Sequence, residues 1–383
     1  MSFFIPTFNS EYFNPFGSSS DQSQPSSSRT YREGPSSRTS KLTKDMSSTR
    51  AGGTSSGRFT EARRTELRRI GDETIAAIDR GCYKFMGKDQ DLNFKTEESR
   101  RGTKFYSSDG PVKDWATKPK PQKGGSPTHI SVLQISTIDA ARLLDDMYRN
   151  NLQEQNLTGV LNFASATKPG GGFLNGAEAQ EESIARASTL YPTLKTKEGQ
   201  KFYDIHKVES AQNNAAFYSH AMIYSPKVTV FRDDDGLWTR PFDVDILTCA
   251  AVNAGEILGN TTGTNNLGVM VGIEKEMIER MGRILYLFEH RGVRNLVLGT
   301  FGTGVFRNDV ATVTRIWAQL LVLPTARFKD SFDRVIFAVT GDQMYSDFKG
   351  GFEAWVQPRG IQAANKGQSG NGRNTGFLGR FIS

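Results

Sequence analysis

From His129 to Asp342, short apolar runs alternate with longer segments in which apolar residues return every third or fourth position. A run that is apolar on both sides fits a strand buried on both faces, and a 3.6-residue period fits a helix lying over it. HISVLQIST (129–137) is the first such run, with the amphipathic segment IDAARLLDDMYRNN (138–151) behind it. GVLNFAS (159–165) is a second strand, and EESIARASTLYPTL opens a helix expected to stop before Pro192. AMIYSPKVTVFRD (221–233) and FDVDILTCAAV (242–252) read as strands, and EKEMIERMGRILYLFEHRG (274–292) as a helix with a glycine stop. NLVLGTFGTGVF (295–306) is a strand running into a loop, NDVATVTRIWAQLL (308–321) a helix with Asn308 as its expected N-cap, and DRVIFAVTGD (333–342) a last strand. The alternation predicts an α/β protein with one sheet between helical layers.

The flanks lack this order. Residues 1–57 are dominated by Ser, Thr, Gln, Gly, Asn and Pro, and residues 358–383 by Gly, Asn and other small polar residues. Neither segment buries enough apolar surface to offset the entropy of ordering it, so both are expected to be disordered tails. Residues 58–126 are expected to form a helical N-terminal extension and linker. Within them, Phe59 to Gly81 carries Leu67, Ile70, Ile75 and Ile78 along one side, a polar and poorly patterned stretch follows, and TKPKPQKGGSP (117–127) has linker composition. Residues 127–357 are ample for a full core.

A net charge of +7 and a pI of about 9.2 admit a polyanionic partner without identifying one. The one dense basic run, EARRTELRRI (61–70), has helical spacing and reads as a solvated helix face, so no sequence-specific nucleic acid is expected. Two cysteines without a CxxC pattern suit a reducing compartment. Four histidines without ligand spacing give no reason to expect a metal or other cofactor. No apolar run reaches the length of a membrane span, and the N-terminus lacks a basic n-region. The expectation is a soluble, monomeric intracellular protein, cytoplasmic or nuclear, with no membrane partner.

Two glycine-rich loops follow predicted strands and precede predicted helices: NFASATKPGGGFLNG (162–176) and LGTFGTGVFRN (298–308). Glycine has no Cβ to hold a ligand away, and a helix N-terminus presents free N–H groups with a positive dipole end. Both loops would lie outside the carboxyl ends of their strands, where ligands bind in open α/β sheets. Neither is a familiar phosphate loop. Gly299, Gly302 and Gly304 give G-x-x-G-x-G rather than the dinucleotide G-x-G-x-x-G, and Gly171 to Gly176 is followed by Ala177-Glu178 where a P-loop has its lysine. Tight turns against a crowded sheet remain the alternative for either loop.

Glu181 and Glu182 follow the first loop and sit about 100° apart if helical, so both can face one pocket. Acidic residues in a first turn also complement the helix dipole without any catalytic role. The whole pattern, three glycines (170–172), a seven-residue spacer and Gln-Glu-Glu (180–182), resembles the poly(ADP-ribose) glycohydrolase signature. The surrounding blocks, VLNFASATKPGGGFLNGAEAQEESIARAS, SPKVTVFRDDDG, LGTFGTGVFRND and DRVIFAVTGD, are similar in order to the bacterial or microbial type of that family.

The resemblance spans about Phe59 to Val356. It implies a macrodomain-like three-layer α/β/α fold with a mixed sheet. It also implies exo-hydrolysis of ribose–ribose bonds in poly(ADP-ribose) on modified proteins, releasing ADP-ribose and reversing ADP-ribosylation, including in the response to DNA damage. On this resemblance Glu182 would be the general acid and Glu181 would hold ribose hydroxyls. Gly170, Gly171, Gly172 and Gln180 would contact the ligand, and Ser165 stands nearest to where animal members have Asn. Thr303 (often Cys in the family), Gly304 and Val305 would offer N–H groups to the diphosphate, and Phe306 would pack against the ligand. Two other activities fit a similar fold: an ADP-ribose-binding module without catalysis, and a hydrolase of single ADP-ribose units on protein. A binding module has no use for the two carboxylates, whose burial without partners is costly.

Overall fold

The computed structural model describes residues 61–120, 127–149, 157–209, 215–261 and 266–356. The two tails expected at 1–57 and 358–383, and most of the linker (121–126), lie outside the described residues. In chain order the elements begin with α1 (Glu61–Arg80), the hairpin strands β1 (Cys82–Phe85) and β2 (Lys88–Asp91), α2 (Asn93–Gly102) and β3 (Lys104–Tyr106). There follow β4 (His129–Leu133), α3 (Thr137–Tyr148), β5 (Thr158–Phe163), α4 (Gln180–Ala187), α5 (Leu190–Leu194) and α6 (Lys197–Glu209). The chain continues with β6 (Met222–Arg232), β7 (Trp238–Cys249), α7 (Ala254–Asn260), α8 (Asn266–His290) and β8 (Asn295–Leu298). It closes with α9 (Val310–Leu321), β9 (Arg334–Ala338) and α10 (Asp342–Val356). Among the described residues, no helix is long and apolar enough to cross a membrane.

Seven strands form one mixed sheet in the order β3-β6-β7-β5-β8-β9-β4. The five from β7 to β4 run parallel, while β6 is antiparallel to β7 and β3 to β6. Successive residues of a strand point to opposite faces, and the core divides accordingly. Leu161, Leu247, Leu296 and Phe337 pack under α8, α9 and α10, whereas their neighbours Val160, Ile246, Val297 and Ile336 pack under α3 to α6. This is the expected α/β/α sandwich.

Several boundaries differ from the expectation, each for a local reason. β4 ends at Leu133 and is an edge strand with a partly exposed pattern rather than a buried one, because only β9 pairs with it. The helix predicted from Glu181 toward Pro192 breaks in two. Ser188 is extended and bridges Val230 in β6, and Pro192 then sits in the first turn of α5, where a missing N–H costs nothing. The N-cap of α9 is Asp309, which accepts from Thr312 N, and not Asn308.

The N-terminal extension is less purely helical, and less separate, than predicted. The stretch after α1 folds as the β1–β2 hairpin, α2 and β3, and β3 is itself the edge strand of the main sheet. Its three residues, KFY, were too few to show a period. The buried side of α1 carries Leu67, Ile70, Thr74 and Ala77, leaving Ile75 and Ile78 half-buried. A small aromatic cluster of Tyr83, Phe231 and Trp238 joins the hairpin to β6 and β7, with the Arg232 guanidinium 3.4 Å over the Trp238 ring.

Trp115 fastens the segment after β3 to α8. Its ring stacks on Phe328 at 5.7 Å and its indole N–H donates to Glu279 at 2.9 Å. The ring occupies the place a Cβ on Gly282 would need, with the Cη2 atom 2.7 Å from that position. Mid-helix Gly→Ala normally gains about 1 kcal/mol, but here the added methyl would displace the indole. Gly282→Ala is therefore expected to destabilise the protein by about 1–3 kcal/mol, read as a lower urea midpoint with a red-shifted tryptophan emission.

Candidate active site

The carboxyl ends of β5 and β8 lie side by side in the parallel part of the sheet, so the loops leaving them share one end of the molecule. Between them lies a cleft of about 920 Å3. Residues 163–168, 171–172 and 178–183 form one wall, and Thr300, Gly302 and Gly304 to Phe306 the opposite lip. The turn into α3 (Ser136 to Ile138), Tyr218, Asp234, Ala251, Ala338 and Thr340 complete the lining.

The first wall is built by the opening turn of α4. Gln180 accepts from Phe163 N at 2.9 Å and donates to Leu161 O at 2.7 Å and Thr137 Oγ1 at 3.3 Å. Gln180, expected to contact the ligand, lines the cleft, but its amide is engaged as a strut that locks α4 to the end of β5. Glu181 is 2% exposed; its Oε2 accepts from Ser165 N at 2.7 Å and its Oε1 from Asn162 Nδ2 at 3.4 Å. Burial pushes its pKa up to about 8, and the nearby Glu182 adds to this, while the Ser165, Asn162 and Gly170 hydrogen bonds pull the other way. Glu182 is half-buried on the cleft wall, with Oε1 accepting from Gly172 N at 2.8 Å.

The glycine loop needs its glycines for two separate reasons. Gly170 and Gly171 have φ of 68° and 60°, the left-handed region that side chains avoid. A Cβ on Gly171 would also stand 2.8 Å from the Glu182 carboxyl carbon and 3.1 Å from Glu181 Oε2. Gly171 and Gly172 line the cleft, but Gly170 stands behind it, packed on Phe173 and Tyr191, with its N–H bonded to Glu181.

The second lip is held from below. Asn308 is buried and donates to Val252 O at 2.7 Å and Gly302 O at 3.0 Å, fixing the loop's turn. Gly304 and Val305 project at the rim, Val305 being 82% exposed, and Phe306 lies on the wall against Tyr218. Thr303 is off the cleft surface: its hydroxyl donates to Thr300 O at 3.0 Å and turns toward the Met344 sulfur. Ser165, Glu181, Glu182, Gly171, Gly172, Gly304, Val305 and Phe306 are thus gathered on one cleft. Gly170 and Thr303 lie behind it, and Gln180 is spent on structure.

The sequence reading missed Asn162, which is fully buried on β5 and donates to Glu181 and to Thr248 Oγ1. It sits inside an apolar strand run, where a lone polar residue is itself a signal. Tyr218 and Asp234 were missed as well, because they come from distant loops with no recognisable spacing. Asp234 faces the cleft with a buried Oδ2 that has no partner among the described residues, and burial raises its pKa. Among the described residues, no group of three or more His, Cys, Asp or Glu could hold a metal ion.

Residues 71–233 match the family model described as microbial-type PARG, catalytic domain. The search of curated proteins gave no match. Among solved structures, the chain is similar to poly(ADP-ribose) glycohydrolase from Thermomonospora curvata, with 34% identity and a TM-score of 0.67 over 76% of this chain and 100% of that one. The same enzyme bound to the inhibitor ADP-HPD gives 34% identity and a TM-score of 0.64, over 75% and 99%. The Deinococcus radiodurans enzyme in complex with ADP-ribose gives 30% identity and a TM-score of 0.58, over 72% and 100%.

The raised pKa of Glu181 has a consequence for stability. The folded protein keeps this proton up to about pH 8, whereas the unfolded chain releases it near its ordinary value of 4.5. The group's contribution is therefore complete below pH 4.5 and lost as pH rises through 8. Urea midpoints measured from pH 5 to pH 9 should fall more steeply for wild type than for Glu181→Gln. Parallel curves would mean that Glu181 is not held neutral.

Proposed function

The chain belongs to the microbial-type poly(ADP-ribose) glycohydrolases, and on that premise we propose that it removes ADP-ribose from the ends of poly(ADP-ribose), with Glu182 as general acid. It is a glycosidase of poly(ADP-ribose), and ADP-ribose is both the unit it binds and the product it releases. The observation that carries the reading is the Glu182 carboxyl, fixed by Gly172 N on a cleft wall that includes the bare backbone of Gly171 and Gly172.

Cleavage of the ribose–ribose bond builds positive charge on the anomeric carbon, and the departing oxygen needs a proton. Glu182 supplies it, and the resulting carboxylate then takes a proton from the water that attacks the same carbon. Both carboxyls come from one helical turn, so they serve one face of the sugar rather than flanking it as in most glycosidases. Glu181, neutral up to about pH 8, orients ribose hydroxyls without adding a second negative charge next to the diphosphate. That diphosphate lies against the main chain of Gly171–Gly172 and of Gly304–Val305, where no side chain intervenes at the glycines. Phe306 and Tyr218 offer aromatic surface to the rest of the nucleotide.

Glu182→Gln keeps the Gly172 hydrogen bond but has no proton to give. It should lower release of ADP-ribose from polymer by about 10²–10⁴-fold while ADP-ribose still binds, followed by chromatography and calorimetry. Wild type that binds ADP-ribose without turnover would make the protein a binding module. Turnover of singly modified protein alone would make it a mono-ADP-ribosyl hydrolase.

A further inference from the structure

Helix α1 is fastened to the acid's side of the cleft at three points. Arg63 Nη2 pairs with Glu178 Oε1 at 2.9 Å, and Glu178 lines the cleft. The carbonyl oxygen of Arg64 fills the space a Cβ on Gly176 would take. Thr74 Oγ1 donates to Arg186 O at 2.6 Å, on the same helix as the two carboxyls. The path from α1 to the acid is short: Glu178 follows Ala177, Ala177 packs against Gly172, and Gly172 N–H holds Glu182.

The basic run that reads as a solvated face in sequence is not uniformly neutralised there. Arg63 is engaged by Glu178, and Arg69 by Glu66 and Glu73. Arg64 and Arg68 are exposed, lie four residues apart on one side of the helix, and make no ion pair or side-chain hydrogen bond among the described residues. Among the described residues, no side chain pairs with these two guanidinium groups.

We propose that Arg64 and Arg68 form an exosite for the pyrophosphates of the polymer beyond the scissile bond. This rests on the glycohydrolase reading. Glu182 protonates the oxygen that stays with the polymer, so the remaining chain leaves the cleft on the acid's side, where α1 begins. Each further unit of that chain carries a diphosphate, and exposed guanidinium groups match phosphate oxygens bidentately. The exosite acts on affinity for a continuing chain and leaves the bond-breaking chemistry alone. It distinguishes a polymer end from a lone ADP-ribose unit, which has no chain to lay along α1.

The test uses the full chain, as wild type and as Arg64→Glu/Arg68→Glu. Two substrates are compared: long poly(ADP-ribose), and ADP-ribose joined at its anomeric carbon to a neutral aryl alcohol, which presents the same kind of bond with no chain behind it. The double variant is expected to lose about tenfold in kcat/KM on polymer, mainly through KM, with a shallower dependence of log KM on log salt. Its rate on the aryl glycoside should match wild type, which also shows that it folds. Equal rates on polymer, or parallel losses on both substrates, would overturn the exosite while leaving the glycohydrolase standing. If wild type cleaves neither substrate, the enzyme reading fails, and the exosite with it.

Discussion

Three consecutive side chains at the start of α4 each accept a hydrogen bond from the main chain that leads into the helix. Phe163 N donates to Gln180, Ser165 N to Glu181 and Gly172 N to Glu182. The end of β5, the glycine loop and the helix are thereby stitched into one unit. The stitch sets where the two carboxyls point, and it sets the loop's shape, since the N–H groups it uses can be reached only if the loop doubles back over α4. A hydrogen bond is electrostatically stronger in a partly dry setting than in water, so the same carboxyls that define the chemistry also define the backbone.

The cost of this arrangement falls on Glu181. A carboxyl that is 2% exposed resists ionisation, and three hydrogen bonds to its oxygens do not reverse the effect of burial. The fold thus holds two chemically identical side chains in different surroundings one residue apart, both at the cleft, one almost fully buried and one half-buried. A difference of environment of this kind lets adjacent carboxyls take different roles.

The N-terminal segment contributes more than a peripheral helix. It supplies the outer strand β3, the docking of Trp115 on α8, and the α1 contacts that back the glycine loop at Phe173 and Gly176 and reach α4 at Arg186. The loop is therefore supported on both sides, by α4 from within and by α1 from outside. Support of this kind keeps a glycine-rich segment in one shape despite its backbone freedom.

The alternation of apolar runs with 3.6-period segments determined the α/β class, because strands buried on both faces must be apolar throughout and their covering helices must not be. The spacing of GGG and QEE determined that glycine backbone and two carboxyls would meet, because a short loop between strand and helix leaves them no room to separate. Only the tertiary structure decided how those residues share the work. That Gln180 is spent on β5, that Gly170 and Thr303 stand behind the wall, that Asn162 reaches Glu181, and that Tyr218 and Asp234 enter the cleft all depend on contacts between segments far apart in the chain. So does β3, whose three residues have no pattern of their own and become a strand only because β6 offers an unpaired edge. Local periodicity records which face of an element is buried; it carries no record of which distant main chain will claim a side chain's hydrogen bonds.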